Sequence, residues 1–555
     1  MSGPAGDVEP GAGSVRLLAR LGRRSAWIPT LLERHRILLA LSAYLLVFAT
    51  ALFVRLAFAR LAEFPGHADP AFYYTAARNL VSGRGFEIDY IWQFRTMPPT
   101  ITHQGNDYWP PLTPLVMSAS MGVLGPSMLA ALLPGMLMGL ALSPVVWLWS
   151  KACSPSAAAA FGAACLVLLE PNLLTASLNS DSIVHFAFVA SVTLCVMTKA
   201  LADARFFLLA AVCAALGHLT RLDGFLLMPT LLGVIWTSSH SRRARLTYLL
   251  LTPVLYLAIL APWLLHNHAT LGAFLPPASR KLFFVTEYED LFAATKEASL
   301  RTFLDPGLSA IFWRKVDAAR RNVNLLWYLG GVLWIPAVAG ILESAIRPGR
   351  RADLKRYVPA LLFLGALFAF HTLIPFDFGL TNSAFAFIPF LALASTDAIR
   401  RALRFAPLAL LVIGLLGAHY YARSFGMAGT IVNVNNQVGE QLAPLKAIVE
   451  RDPGRPRGEE AIVMTRIPWE VNLSTGYRAV QIPHDDLATI LAIARRYRVN
   501  YLLLPAPREG LADIYEGTRR DERFQFVAEI PYTDPYLPFM DKNPSLKLFR
   551  LVLPP

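Results

Sequence analysis

The chain has 555 residues, of which 55% are hydrophobic and only 16% charged, and its mean hydropathy is +0.45. These values exclude an ordinary soluble protein and indicate a large membrane-embedded body with room for one soluble domain. The formal net charge of +13 indicates basic loops on one side of a membrane rather than a nucleic-acid-binding surface, so no nucleic-acid partner is predicted.

The N-terminal region 1–36 is rich in glycine and arginine and is predicted to be a disordered cytoplasmic tail. A first apolar span follows over Ile37–Phe58, and the arginines before it place the N-terminus in the cytoplasm by the positive-inside rule. Ten further apolar runs bring the region 37–424 to about eleven transmembrane helices. These runs are Ser127–Trp149, Ser156–Leu174, Ser182–Thr198, Phe206–Leu219, Phe225–Thr237, Leu246–His266, Leu325–Ile346, Tyr357–Leu373, Ser383–Thr396 and Phe405–Tyr421.

The segment Pro111–Leu124 is too short to cross a bilayer upright and is predicted to be a re-entrant or interfacial helix. With that segment excluded, the basic residues of the short loops all fall on the cytoplasmic side. The same parity places two long loops, 60–111 and 267–324, and everything after the last span outside the cytoplasm. The protein is thus predicted to be a multi-pass protein of the cell membrane.

The region 425–555 changes in character to short apolar runs alternating with helical patterns. We predict a small extracytoplasmic α/β domain, so the fold class is a polytopic α-helical membrane protein with a C-terminal α/β soluble domain. The predicted strands are Glu460–Thr465, Ala479–Ile482, Tyr501–Leu504, Phe524–Ile530 and Leu546–Leu553, and the predicted helices are Asp485–Arg498 and Gly510–Tyr515.

Two acidic residues next to predicted spans are candidates for chemistry. Asp69 lies just beyond the first span, where a carboxylate can act as a general base or hold a cation. Asp181 lies at the start of a later span. Each has a structural alternative, because Asp followed by Pro70 or by Ser182 is also a suitable helix N-cap. The sequence contains no P-loop, dinucleotide fingerprint, HExxH or CxxC motif, so nothing predicts nucleotide binding.

Basic and aromatic candidates accompany these acids. Arg221 lies in a tight turn with Asp223, and it is a candidate phosphate ligand, whereas Asp223 fits a turn residue. The pair Arg280 and Lys281 in the second long loop could hold a lipid phosphate or simply be solvated. His103, which precedes the short helix, could line a polar cleft or belong to an interfacial aromatic belt.

Several motifs, taken in this order, resemble the GT-C membrane glycosyltransferases, in particular protein O-mannosyltransferases and the lipid A aminoarabinose transferase of glycosyltransferase family 39. The resemblance covers residues 37–425. The motifs that carry it are Asp69 with Tyr73, Ala76, Ala77, Asn79-Leu80 and Gly83-Arg84-Gly85; Trp109-Pro110-Pro111-Leu112 with Leu124-Gly125; Ser180-Asp181-Ser182; Leu219-Thr220-Arg221-Leu222-Asp223-Gly224; and Pro262-Trp263 with Asn267 and Leu271-Gly272.

This resemblance implies an inverting transfer of a hexosyl or pentosyl group from a polyprenyl-monophosphate sugar to a lipid, glycan or protein acceptor outside the cytoplasm. It implies that Asp69 is the general base or a ligand of a divalent metal ion, and that Asp181 is a second acidic group. Arg221, Arg280 and Lys281 become candidates for the carrier phosphate, with His103 and Tyr73 as further substrate-binding candidates.

The chain departs from the family pattern at two places. Relatives often carry Asp-Glu in the first motif, whereas Pro70 follows Asp69 here, which puts metal dependence in question. Some relatives carry an acidic-basic pair where Tyr108-Trp109 stands. The main alternative function is a transporter or flippase for a lipid or glycoconjugate, and a second is a non-catalytic membrane assembly or sensor protein. A transporter should show charges at the membrane midplane or broken helices in two repeated halves.

Overall fold

The computed structural model describes residues 12–278, 284–285, 287–374, 379–455, 458–505, 508, 510–533 and 545–553. The chain forms two compact units, Met1–Ala51 and Leu52–Pro555. The first helix, α1 (Ala12–Ala59), supplies most of the first unit. It begins inside the region predicted to be a disordered tail, so that region is helical from Ala12 onward. The reason is local, because leucine, alanine and arginine predominate there and all three favour the helix.

The helices of the membrane region follow the predicted apolar runs in order. Helices α1 to α9 precede α10, which leads into the second long loop, and the remaining helices lie within or after that loop. Their bounds are α2 (Asp69–Val81), α3 (Leu112–Leu124), α4 (Met128–Cys153), α5 (Ala157–Leu169), α6 (Pro171–Ala176), α7 (Ile183–Ala200), α8 (Phe206–Thr220), α9 (Leu227–Thr237), α10 (Arg242–Leu271), α11 (Leu300–Leu304), α12 (Leu308–Gly330), α13 (Trp334–Ile346), α14 (Arg351–Leu373), α15 (Gly379–Ala384), α16 (Ile388–Ala402) and α17 (Ala406–Leu442).

Eight helical segments within the described residues are long and apolar enough to cross a membrane. The other predicted spans coincide with the shorter apolar helices α5, α8 and α9, so the total of eleven remains a prediction. The segment predicted not to cross forms α3, which has only 13 residues. The architecture of a polytopic helical membrane protein is confirmed.

Local sequence explains where several of these helices begin and end. Ser127, Ser156 and Ser241 precede α4, α5 and α10, and each hydroxyl accepts a hydrogen bond from a backbone N–H in the first turn. Such caps satisfy donors that have no partner inside the helix. Gly272, at φ 69°, ends α10 in the left-handed conformation that glycine adopts without steric cost.

The C-terminal region forms the predicted α/β domain, and α17 runs past residue 425 into it before the next helix begins at Pro444. All five predicted strands and both predicted helices are present, and two further helices, Pro444–Arg451 and Pro468–Thr475, were not predicted. The bounds are α18 (Pro444–Arg451), β4 (Ile462–Thr465), α19 (Pro468–Thr475), β5 (Arg478–Gln481), α20 (Leu487–Arg496), β6 (Tyr501–Leu504), α21 (Ala512–Glu516), β7 (Phe524–Pro531) and β8 (Ser545–Leu551), with β1 (Glu87–Ile88), β2 (Tyr90–Ile91) and β3 (His103–Gln104) in the first long loop.

The first long loop contributes a strand to the sheet of the C-terminal domain. The six-stranded sheet has the order β2-β5-β4-β6-β8-β7. Its edge strand β2 pairs in parallel with β5, with Tyr90 opposite Ala479 and Ile91 opposite Val480. The first loop and the C-terminal domain are therefore one structure, although almost 400 residues of sequence, by the difference of these numbers, separate the paired strands.

Both faces of this sheet are buried along its interior strand β6. Along β6, Tyr501 and Leu503 pack in one apolar cluster, whereas Leu502 and Leu504 pack in another, because successive side chains of a strand point to opposite faces. The second cluster includes residues of α20, and the first includes Trp109 of the first loop. Burial on both faces explains why β6 reads as a continuous apolar run rather than an alternating one.

Candidate active site

The structure brings Asp69, Asp181 and Arg221 together from three separate segments. Asp69 is the first residue of α2, Asp181 precedes α7, and Arg221 follows α8. The Ser180 hydroxyl donates a hydrogen bond to the Pro70 carbonyl at 3.0 Å, which ties the segment before α7 to the start of α2. The charges of Asp181 and Arg221 both act on the ionisation of Asp69. We call Asp69 and Asp181 the acid pair, and the acid pair with Arg221 the Asp69 site.

Neither acid of the pair acts as the predicted N-cap. The residue that precedes α2 is Ala68, at φ 45°, and its position leaves Asp69 inside the first turn with no side-chain capping bond. Ser182 precedes α7, and it makes no side-chain capping bond either. The Asp181 carboxylate instead accepts from the backbone N–H and the hydroxyl of Ser182. The capping explanation for Asp69 is therefore wrong, and its carboxylate is available for chemistry.

The surroundings of Asp69 hold its proton more tightly than water would. Burial, reinforced by the negative charge of Asp181, raises the pKa of Asp69 to about 7, although Arg221 and a hydrogen bond from Trp109 oppose the rise. Burial also raises the pKa of Asp181, against the charge of Arg221. A carboxylate with a pKa near neutrality is well matched to proton transfer at physiological pH.

Arg221 is held on one side by a small hydrogen-bond network. Its Nη1 donates to Ser182 Oγ at 2.8 Å, and its Nε donates to Asp223 Oδ1 at 3.3 Å. Asp223 also accepts from the Ser383 hydroxyl and lies 3.2 Å from His371 Nε2. Among the described residues, Nη2 of Arg221 has no hydrogen-bond partner. Arg221 can therefore offer that group to an anionic ligand while Asp223 fixes the rest of the guanidinium.

Tyr73 lies on the same face of α2 as Asp69, four residues further along. Its side chain is fully buried, and its hydroxyl forms a hydrogen bond with Ser182. Burial and the charge of Asp181 raise the pKa of Tyr73, so the phenol remains protonated. Tyr73, a substrate-binding candidate from the sequence, therefore lies beside the acid pair, and its binding role remains a prediction.

An aromatic cluster from the first loop and the C-terminal domain borders the Asp69 site. Trp109 stacks on Phe72 with ring centroids 4.0 Å apart, and it contacts Trp92 at 4.7 Å. Trp92 contacts Trp469 of α19 at 5.9 Å. The residue after it, Glu470, accepts a hydrogen bond from the Ala68 backbone N–H at 3.3 Å. The C-terminal domain therefore supports the backbone immediately before Asp69.

The second long loop approaches the same site through a short helical turn at Tyr288–Leu291. The charge of Asp69 contributes to raising the pKa of the Tyr288 phenol, after the effect of burial. The next residue, Glu289, pairs with Arg466 at 2.8 Å and with Arg508 at 3.3 Å, both in the C-terminal domain. No local pattern marked Glu289, Arg466 or Arg508 as partners, because their association depends entirely on long-range folding.

Other predicted site residues lie elsewhere or outside the description. His103 is on β3, where its Nδ1 contacts the Ile101 carbonyl at 2.8 Å, and its charge acts on Asp107 rather than on the acid pair. These interactions of His103 therefore do not include any residue of the Asp69 site. Arg280 and Lys281 lie outside the described residues.

The Asp69 site contains two carboxylates that could bind a metal ion. Within the described residues, no group of three or more His, Cys, Asp or Glu side chains could hold a metal ion. Asp69 and Asp181 could supply two ligands, so a bound divalent cation would need water or substrate oxygens for the rest. The positive charge of Arg221 already lies beside both acids.

The fold and the site define a class: a multi-spanning helical membrane protein with an acid pair and an arginine where its first long loop meets a C-terminal α/β domain. Residues 109–266 match the family model described as dolichyl-phosphate-mannose-protein mannosyltransferase. That match includes Asp181 and Arg221 but not Asp69. No curated protein sequence matches the chain.

Solved structures extend the likeness over most of the chain. ArnT from Cupriavidus metallidurans in the apo state is similar with a TM-score of 0.61 at 14% identity, over 92% of this chain and 98% of that one. The same protein bound to undecaprenyl phosphate gives 0.57 at 14% identity, with the same shares. The apo oligosaccharyltransferase of Archaeoglobus fulgidus gives 0.50 at 15% identity, over 83% and 69%. The resemblance to GT-C membrane glycosyltransferases is confirmed for the fold.

Proposed function

We propose that this protein is a membrane glycosyltransferase that moves a sugar from a polyprenyl-phosphate-linked donor to an acceptor outside the cytoplasm. The observation that carries the proposal is the Asp69 site, in which one carboxylate with a near-neutral pKa lies beside a second acid and an anchored arginine. The fold shared with ArnT, which has been solved with undecaprenyl phosphate, supports a lipid-linked donor. The absence of nucleotide-binding motifs from the sequence agrees with such a donor.

The chemistry assigns one role to each charged group. Asp69 accepts the proton of the acceptor hydroxyl as its oxygen forms a bond to the anomeric carbon of the sugar. The bond between that carbon and the phosphate oxygen breaks, and the polyprenyl phosphate leaves with the electron pair. Because the acceptor attacks from the face opposite the leaving phosphate, the configuration at the anomeric carbon inverts.

Arg221 and Asp181 contribute through their charges, and neither accepts the proton of the acceptor. The free Nη2 of Arg221 can donate to the phosphate as negative charge develops on the leaving oxygen. Asp181 helps to raise the pKa of Asp69, which makes Asp69 a stronger base once it is ionised. The transferred group would be a hexosyl or pentosyl residue, and the acceptor would be a lipid, glycan or protein.

An alternative role for Asp69 is to bind a divalent metal ion in place of accepting the proton, and this alternative has its own test. Asp69 and Asp181 would be the protein ligands of the ion, and the ion would supply positive charge to the donor phosphate. Treatment with EDTA followed by removal of the chelator should then lower transfer, and added Mg²⁺ or Mn²⁺ should restore it. Unchanged transfer after chelation assigns charge neutralisation to Arg221 alone.

The function itself is tested by comparing cells that carry the wild-type protein, the Asp69→Asn variant or no protein. Mass spectrometry of surface lipids, glycans and proteins should show one sugar modification that requires the wild-type chain. A modification that persists fully without the protein, or none that depends on it, contradicts the proposal. Equal membrane levels of the wild type and the variant must be shown by immunoblot.

The transporter alternative is less well supported by the placement of charge. The Asp69 site lies at helix ends and in a loop, and not at the middle of the spans where transporters bind their substrates. A transporter would also continue to move its substrate when the proton-accepting carboxylate is replaced by an amide of the same shape.

A further inference from the structure

A second polar site lies at the end of the helix bundle opposite the Asp69 site. The geometry of α14 shows the separation: His371, near its C-terminal end, contacts Asp223, whereas Arg351 is its first residue. Twenty-three residues of helix span about 35 Å, roughly the thickness of a bilayer's hydrocarbon core. At that opposite end lies a cavity of about 810 Å³, which we call the far cavity.

The far cavity is built from three junctions between helices. Its lining includes Ser156 at the start of α5, Arg350 before α14, and Arg400 and Arg404 at the junction of α16 and α17. All of these segments lie within the described residues. Its volume falls within the range of ordinary ligand sites, and a phospholipid headgroup would fit there.

Most of the acids around the far cavity are already paired, and two arginines are not. Asp397 accepts from the Tyr357 hydroxyl at 2.9 Å and pairs with Arg401 at 3.1 Å. By contrast, the one hydrogen bond of the Arg400 side chain within the described residues goes to the Arg404 backbone carbonyl, at 2.7 Å. Among the described residues, neither Arg400 nor Arg404 has a carboxylate partner. The cavity wall therefore carries uncompensated positive charge.

The start of α5 adds backbone donors to the same wall. The Ser156 hydroxyl accepts from the Ala159 N–H at 3.2 Å. The N–H groups of Ala157 and Ala158, which also line the cavity, have no hydrogen-bond partner within the described part of the chain. The first N–H groups of a helix and a pair of arginines together match the oxygens of a phosphate group.

The rim of the far cavity is apolar, which favours a phosphate that belongs to a lipid over a soluble phosphate. Phe405, between Arg404 and the cavity residue Ala406, has 67% of its surface exposed, and Leu408 has 44% exposed. In a membrane protein these side chains face acyl chains, so a phosphate held at Arg404 would have its hydrocarbon tails directly beside it. A soluble phosphate would make no use of this apolar rim.

We propose that the far cavity binds the phosphate of an anionic phospholipid through Arg400, Arg404 and the start of α5, with the acyl chains along Phe405 and Leu408. This site is separate from the proposed transfer reaction and would remain if that reaction were disproved. The lipid would fasten three helix junctions together at this end of the bundle.

The test uses the full chain purified in detergent and stripped of lipid. Native mass spectrometry should detect one tightly retained phosphatidylglycerol, and phosphatidylglycerol should raise the thermal unfolding temperature more than phosphatidylcholine does. The Arg400→Gln/Arg404→Gln variant should bind phosphatidylglycerol about tenfold more weakly or worse, because charge-assisted hydrogen bonds are lost. Inorganic phosphate at the same concentration should give no comparable shift.

Two further variants make the test decisive. Ala157→Asp places a carboxylate in the cavity at a helix start, where an acidic residue favours the helix, so lipid binding should fall without loss of folding. Arg242→Gln/Arg243→Gln removes two exposed charges from the start of α10 and should bind lipid like the wild type. Equal loss in this control, full binding by Ala157→Asp, or an equal shift with inorganic phosphate would overturn the proposal.

Discussion

Both ends of the helix bundle carry charged residues, but acids are in excess at the Asp69 site and arginines are in excess at the far cavity. At the Asp69 site, two acids share one arginine whose Nε and Nη1 are already bound. At the far cavity, the acids are paired within the wall and Arg400 and Arg404 are left over. Excess negative charge under burial raises a carboxyl pKa and makes a base, whereas excess positive charge at a membrane end makes a binding site for anions.

Asp69→Asn should have the largest effect and would show whether the acid end performs chemistry. The amide keeps the shape of the side chain but cannot accept a proton, so transfer should fall by roughly 10²- to 10⁴-fold, mainly in turnover. Asp203, whose one salt bridge within the described residues is to Arg205, provides a matched Asp→Asn control that should keep full activity. Near wild-type transfer by Asp69→Asn would show that Asp69 is not the base, and Asp181 would become the next candidate.

Arg221→Gln should have the next largest effect. The substitution removes the group offered to the donor phosphate and also breaks the contacts with Ser182 and Asp223. A charge-assisted hydrogen bond contributes about 1.5–3 kcal/mol, so transfer efficiency should fall about 10- to 100-fold. Steady-state kinetics measure the loss, and Arg205→Gln serves as the exposed control. Equal losses in both variants would indicate a general effect of charge.

The raised pKa of Asp69 predicts a pH-dependent stability effect at the acid end. A carboxyl whose folded-state pKa is about 7 favours the folded protein when protonated, and this advantage is lost as pH rises through 7. Asp69→Asn should therefore stabilise the protein at pH 8 by on the order of 2 kcal/mol more than at pH 5. Thermal unfolding at the two pH values measures this, and an equal effect at both would show that the pKa is not raised.

A double-mutant cycle on Trp92 and Trp469 tests the smallest effect, the contact between the first loop and the C-terminal domain. Their rings lie 5.9 Å apart next to Trp109, which borders Asp69. Trp92→Leu, Trp469→Leu and the double variant should give a coupling energy of about 0.5–1.5 kcal/mol in unfolding experiments. Strictly additive losses would mean that the two segments are energetically independent.

Several features of the fold were predictable because they depend on residues close together in sequence. Apolar runs long enough to span a bilayer predicted the long helices, and short runs predicted every strand of the C-terminal domain. The strand Tyr501–Leu504 was predicted to the residue because burial on both faces leaves an unbroken apolar run. The helix Pro468–Thr475 was missed, since nothing in its pattern separates it from a loop.

The sequence by itself also determined which residue types were present for chemistry, and a family resemblance selected Asp69, Asp181, Arg221 and Tyr73 as site candidates, whose roles remain predictions. Only the tertiary structure decided that Asp69 is not an N-cap, because that depends on the backbone of Ala68, which Glu470 of the C-terminal domain holds. The pairing of Tyr90 with Ala479 and the cavity beside Arg400 likewise depend on contacts between distant segments. Local patterns report the period of a helix or strand, but charge balance and burial are properties of the residues that folding brings together.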